Sequence, residues 1–340
     1  MKFTVGYQKN DALKDEIMRN KAAVSEIYFP WGNFSSGRGV VPTSAEQREM
    51  ESDLDDYVAA GFNTNLLLNG NCYGRHAQAR SFYQSVGDCI SELSERFGLS
   101  SVTTTSPIIA KFIKANFPGI EIRASVNMEI GTPEGVEYIS EFFDAFYLKR
   151  EYNWHFEKLK TMREFCLSEG KKLYLLANSG CLNFCSARTF HDNLVAHQHE
   201  IAEMDNAFDF NGVCPEFIRT RDNRKRILSH CNFIRPEDIH LFEGLCDGVK
   251  LATRTNRNPS AVVRAYCAAH YVGNLLDLTE PSHSQSLYPS VLENAKIPAE
   301  YAEYRLHCSK QCRTCGYCDE IQRKATLNLE HIGTYGKTDK

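Results

Sequence analysis

Short apolar runs recur along the chain, with amphipathic stretches between them. Segments 3–6, 26–29, 65–68, 102–104, 121–124, 143–148, 172–177, 239–242 and 248–252 are mostly apolar or β-branched and predict strands. The intervening stretch "SAEQREMESDLDDYVAAG" predicts a helix with Ser44 as its N-cap and Gly61 past its end. "HAQARSFYQSVGDCISELSERFG" and "YNWHFEKLKTMREFCLSEG" have the same form, each closing on glycine. Strands alternating with helices imply a parallel sheet with crossover helices. Nine strand candidates for eight places, spread over roughly 250 residues, fit a TIM-like (β/α)8 barrel. An open doubly wound sheet is the alternative, and it lacks a GxGxxG at the first strand-to-helix turn.

From about Leu276 the alternation stops. "TEPSHSQSLYPS" has the composition of a linker or surface loop. "PAEYAEYRLHC" predicts a short helix leading into a cysteine-rich stretch, and "GTYGKTDK" predicts a frayed end. The chain therefore divides into a barrel over 1–277, with a cysteine-bearing loop region at 178–235, and a C-terminal extension over 278–340.

An apolar share of 42% and a charged share of 24% place the chain among folded globular proteins. A net charge of −4 gives no global attraction to nucleic acid or anionic membrane. The basic run "RTRDNRKR" at 219–226 keeps nucleic acid open, although such runs are more often solvated loops. The N-terminus has no signal-peptide pattern, and no apolar stretch approaches a membrane span. A cytoplasmic protein is expected.

Against that setting, 13 cysteines stand out, because a reducing compartment does not favour structural disulfides. Cys89, Cys166 and Cys267 lie in partly apolar helical segments and read as small core residues, while Cys72 and Cys246 stand alone. "CSKQCRTCGYC" places Cys308, Cys312, Cys315 and Cys318 at C-x3-C-x2-C-x2-C. Four soft ligands in one short run suit an iron–sulfur cluster, with Zn2+ as the alternative. Lys310 and Arg313 favour the thiolates. The first three cysteines also match the radical-SAM spacing, but at the wrong end of the chain for that fold.

A second set begins in "NSGCLNFCSARTFH". Cys181 and Cys185 follow a strand that ends near Asn178, so on a barrel they occupy a loop of the catalytic face. Cys214 and Cys231 complete a four-thiol site if the chain between them folds back over the barrel mouth. Asn69, Asn71, Asn127, Glu129, Lys149, Arg150 and Arg254 at other strand ends suggest a polar pocket. Arg188, His191, Lys149 and Arg254 are candidates to contact a substrate there. Arginine suits a carboxylate or phosphate, and histidine suits proton transfer near neutral pH. His197 and His199 read as structural.

A strand ending in Asn, then "SGCLNFCSARTFHDNLVAH", "FIRPEDI" and "GVKLATR", resembles the collagenase-like peptidase family U32, and so does "EIYFPWGNFSSGRG". The resemblance covers roughly residues 24–277. It implies an oxygen-independent hydroxylation protein, since several members act that way on a ubiquinone precursor or on RNA pyrimidines. In the ubiquinone branch four cysteines hold a [4Fe–4S] cluster. By resemblance, Cys181 and Cys185 are cluster ligands, with Cys214 and Cys231 completing the set. The chain departs from those members in ligand spacing and in its extra C-terminal cysteine run, so it holds one cluster or two. No HExxH or GxSxG supports peptidase chemistry. The expectation is an iron–sulfur enzyme performing oxygen-independent hydroxylation, or a related redox modification, of a small molecule, RNA or peptide. A metal-dependent peptidase or hydrolase and a non-catalytic electron-transfer subunit are the alternatives. A redox partner or an oligomer stays open.

Overall fold

A computed structural model describes residues 1–39, 42–205, 210, 212–220 and 222–332. Eight parallel strands close on themselves in chain order: β1 (Phe3–Gly6), β2 (Val24–Phe29), β3 (Asn63–Leu68), β4 (Ser101–Thr104), β5 (Glu121–Ala124), β6 (Ala145–Tyr147), β7 (Lys172–Leu176) and β8 (Gly248–Leu251). The register of β1 with β8, Phe3 opposite Val249, seals the barrel. Helices α1 (Asp11–Arg19), α2 (Ser44–Ala59), α3 (Arg80–Phe97), α4 (Pro107–Asn116), α5 (Pro133–Glu137), α6 (Phe156–Ser168) and α7 (Arg188–Ala196) follow successive strands, and a helix over Pro259–Ala268 follows β8. This is a TIM-like (β/α)8 fold.

Alternation within the strands explains the two layers. Outward residues such as Val5, Ile27, Leu66, Val102, Ile122, Phe146, Leu175 and Val249 join the core between sheet and helices. The inward residues are far more polar. Arg123 of β5 donates to both carboxylate oxygens of Glu26 of β2, at 2.8 and 2.6 Å. Ser101 donates to Glu26 at 3.1 Å, and Asn65 donates to Ser101 at 2.7 Å. A buried pair this well satisfied ties opposite sides of the barrel. Losing one partner costs about 3–5 kcal/mol.

Two local expectations are corrected. Segment 239–242 is not a strand but part of a 3-10 helix, Pro236–Phe242. Pro236 opens it with a preset φ, Arg235 pairs bidentately with Asp238 at 2.7 Å, and Ile239 and Phe242 bury a three-residue spacing. The cap of α2 is Thr43 rather than Ser44. Thr43 Oγ1 accepts from Glu46 N at 3.3 Å while Glu46 accepts from Thr43 N at 2.8 Å, a capping box.

Beyond the barrel, "TEPSHSQSLYPS" is not simply an exposed linker: Thr279, Glu280 and His283 are buried. Strands β9 (Ser290–Leu292) and β10 (Thr326–Asn328) pair antiparallel, and a helix over Glu300–His307 fulfils the expected one. The expected fraying of 333–340 lies outside the described residues. Among the described residues no helix is long and apolar enough to cross a membrane.

Candidate functional site at the barrel mouth

Strand β7 leads directly into the site. Asn178 replaces the sheet ladder with its own amide: Nδ2 donates to Ala252 O and Leu278 O at 2.8 Å, and Oδ1 accepts from Ala252 N at 2.7 Å. Gly180 then passes so close to residue 281 that a Cβ would lie 2.1 Å from Pro281 O, so only glycine fits. Leu182 bridges Cys231 in antiparallel fashion, and Asn183 N donates to His230 O at 2.7 Å. Residues 230–231 therefore return to the 180–183 segment.

Cys214 lies within electrostatic reach of Cys181, Cys185 and Cys231, and Cys231 also within reach of Cys181. Burial pushes the Cys214 thiol up to about 11, and negative charge on Cys181 and Cys185 adds to that. Cys231 is raised by burial and then by Cys181 and Cys214. Arg38 and Arg188 lie within electrostatic reach of Cys181. Cys181, Cys185 and Cys214 line a cavity of about 540 Å³, and Cys231 is buried behind them.

The C-terminal thiols form a separate group. Cys308, Cys312, Cys315 and Cys318 line one small cavity of about 20 Å³. Tyr304 Oη lies 3.3 Å from Cys315 Sγ and lowers that thiol's pKa. Burial raises Cys318, with Cys308 and Cys312 adding to the shift. Among the described residues, no three His, Cys, Asp or Glu side chains are arranged to hold a single metal ion. Each group has four thiols, the number of donors that a [4Fe–4S] cluster takes.

The other expected site residues divide. His191 lines the cavity, its ring against Phe210 at 5.9 Å. Arg188 reaches the same wall but is already engaged with Glu129 at 2.5 Å, Glu151 at 2.6 Å and Leu182 O at 2.9 Å. Arg254 lies deeper, in a chamber of about 40 Å³ that adjoins the main cavity. Lys149 lines neither space; its amine sits over Tyr152 and Phe184, at 5.3 and 5.7 Å.

Sequence reading missed several neighbours. Arg38 Nε donates to Glu280 Oε1 at 2.7 Å, and Thr255 N donates to the other oxygen at 3.0 Å. Glu280 was hidden by the linker-like composition around it. Lys250 points inward from β8, its amine 3.9 Å from the Tyr28 ring centroid. An inward lysine in "GVKLATR" was a usable signal. A further constellation joins distant segments: His197 is hydrogen-bonded to the Cys72 thiol, and His197 Nδ1 lies 3.1 Å from Glu200. That bond, with the Gly74 N–H at 3.4 Å, lowers the Cys72 pKa.

These features define a (β/α)8-barrel protein with a thiol-lined, cation-rich mouth. No protein-family model matches the chain. It is 26% identical over 266 residues to the "Uncharacterized protease MJ1657" of Methanocaldococcus jannaschii, covering 76% of each chain. Its fold is similar to the solved structure of the U32 peptidase Mk0906, with a TM-score of 0.56, 15% identity, and coverage of 74% of this chain and 92% of that one. The first likeness is one of sequence, and the second is one of fold alone.

Proposed function

We propose that the protein is an iron–sulfur enzyme of the U32-like type, performing oxygen-independent hydroxylation, or a related redox modification, of a substrate held in the barrel mouth. One observation carries this reading. Cys181, Cys185 and Cys214 line a cavity at the C-terminal ends of the strands, where barrel enzymes work, and Cys231 is buried within electrostatic reach of Cys181 and Cys214. A [4Fe–4S] cluster held by these four thiolates would supply one-electron chemistry. The chain's own residues do the rest. Arg38 and Glu280 brace the cavity floor, His191 is available in the wall to carry a proton, and Leu176, Leu182 and Val213 provide apolar surface.

Anaerobic purification, with iron and sulfide measured beside the visible spectrum, tests the reading. About eight irons per chain supports clusters at both thiol groups and about four supports one. A colourless, iron-free protein overturns it. The word protease in the relative's name points to hydrolysis instead. A zinc-loaded protein that cleaves peptides would sustain that alternative.

A further inference from the structure

The chamber beneath the cavity has more cations than anions. Arg38, Arg150, Lys250 and Arg254 line it, against one carboxylate, Glu280. Glu280 is already taken by Arg38 and by Thr255 N. Arg254 donates to a neutral partner, Ser36 Oγ at 3.2 Å, and Lys250 rests on the face of Tyr28. Arg150 is the most revealing. Its Nη2 donates to Asn127 Oδ1 at 2.5 Å, yet Nε and Nη1 are buried without any acceptor, and the residue is only 8% exposed. Asp192 lines the outer cavity, and its Oδ2 is likewise buried without a partner. A buried guanidinium with half its donors unmet is costly unless something else supplies the acceptors.

We propose that this chamber is a subsite for the anionic head group of the substrate, a carboxylate or a phosphate monoester. Arg150 and Arg254 grip the head, with Lys250 beside it. The body of the molecule lies along Leu176, Leu182 and Val213, toward Cys181 and Cys214. Guanidinium forks match the planar carboxylate and the phosphate edge alike. The inference deepens the proposed function by naming a substrate class, and it rests on that reading only for what happens after binding.

The test is calorimetric titration of the full-length protein with benzoate, phenyl phosphate and uncharged benzyl alcohol, with iron measured on the same preparation. At least one anion is expected to bind and the alcohol not to. The tighter anion identifies the head group. Arg150→Gln and Arg254→Gln should each weaken that anion by about tenfold or more, and Arg150→Lys should recover part of the loss. Without ligand, Arg150→Gln should lower the melting temperature by no more than its one bond to Asn127 contributes, because Nε and Nη1 satisfy nothing in the fold. Failure of both anions to bind, equal binding of the alcohol, or unchanged affinity in both glutamine variants overturns the subsite. So does a ligand-free Tm several degrees lower in Arg150→Gln, which would make Arg150 a structural residue. Iron content is unaffected by any of these outcomes, so loss of the subsite and loss of the cluster reading are distinguishable.

Discussion

The two thiol groups have the same ligand chemistry in opposite surroundings. The mouth group borders about 540 Å³ of open space with arginines on its walls, whereas the tail group encloses about 20 Å³. The mouth group is assembled from three stretches of chain, while the tail group spans eleven consecutive residues. A compact run can close on a metal centre with little help from the rest of the fold, but it leaves no room for a substrate. A dispersed set depends on the whole barrel and gains a pocket. On the proposed iron–sulfur reading, turnover belongs at the mouth, and a structural or electron-carrying role at the tail.

The sharpest way to break this contrast is to remove one thiol from each group. On the iron–sulfur reading, Cys181→Ser and Cys315→Ser should each cost about four irons per chain. A mouth ligand should then change the spectrum of Cys315→Ser, which keeps the mouth centre, and leave that of Cys181→Ser unchanged. Equal spectral responses would erase the distinction between the groups.

A smaller effect tests how separate they are. Arg305 is 4% exposed and donates to Leu228 O at 2.8 Å, Cys231 O at 3.3 Å and Asn232 Oδ1 at 3.1 Å. Arg305→Met leaves these acceptors unmet and should cost about 3 kcal/mol in urea unfolding. It should lower iron in both groups, whereas a change confined to the tail would show that they are independent.

The mouth's excess of cations gives a pH signature that the tail lacks. Burial, aided by Arg254 and Arg38, pulls the Lys250 amine down to about 7, with Glu26 opposing and Arg123 adding to the shift. Tyr28 and Tyr147 supply the faces it sits on. Between about pH 7 and pH 10 the unfolded chain holds a proton here that the folded chain does not. Stability should therefore rise with pH through that window, by on the order of 4 kcal/mol. Lys250→Met should flatten the rise, as urea midpoints at several pH values would show.

The smallest effect concerns a thiol outside both groups. Cys72, hydrogen-bonded to His197, should react with iodoacetamide a few-fold faster than an ordinary exposed thiol near neutral pH. His197→Gln should remove the advantage, measured by mass-spectrometric mapping of the labelled peptide.

Much of the barrel was legible because its strands alternate and its helices end on glycine. Eight of nine strand candidates lie on the barrel, and the ninth failed because Pro236 and the Arg235–Asp238 pair impose a helical turn on apolar residues. The "NSGCLNFC" loop could be placed from its strand end alone. Arg38 and Glu280 could not, since their meaning lies in who faces whom across the mouth. Composition misled at 279–283, where polar residues serve the interior. Cys72 and His197 are 125 positions apart and carry no local pattern that joins them.

Arg305 also bears on the order of assembly. Its guanidinium holds the carbonyl of Cys231, a residue made more than seventy positions earlier. On a ribosome adding about 5–20 residues per second, the barrel strands are complete seconds before that clasp exists. During that interval the stretch around Cys231 lacks its final support and the mouth has one wall unfastened. On the iron–sulfur reading, a centre inserted in that interval would meet an open cradle, and synthesis of the tail would then close it.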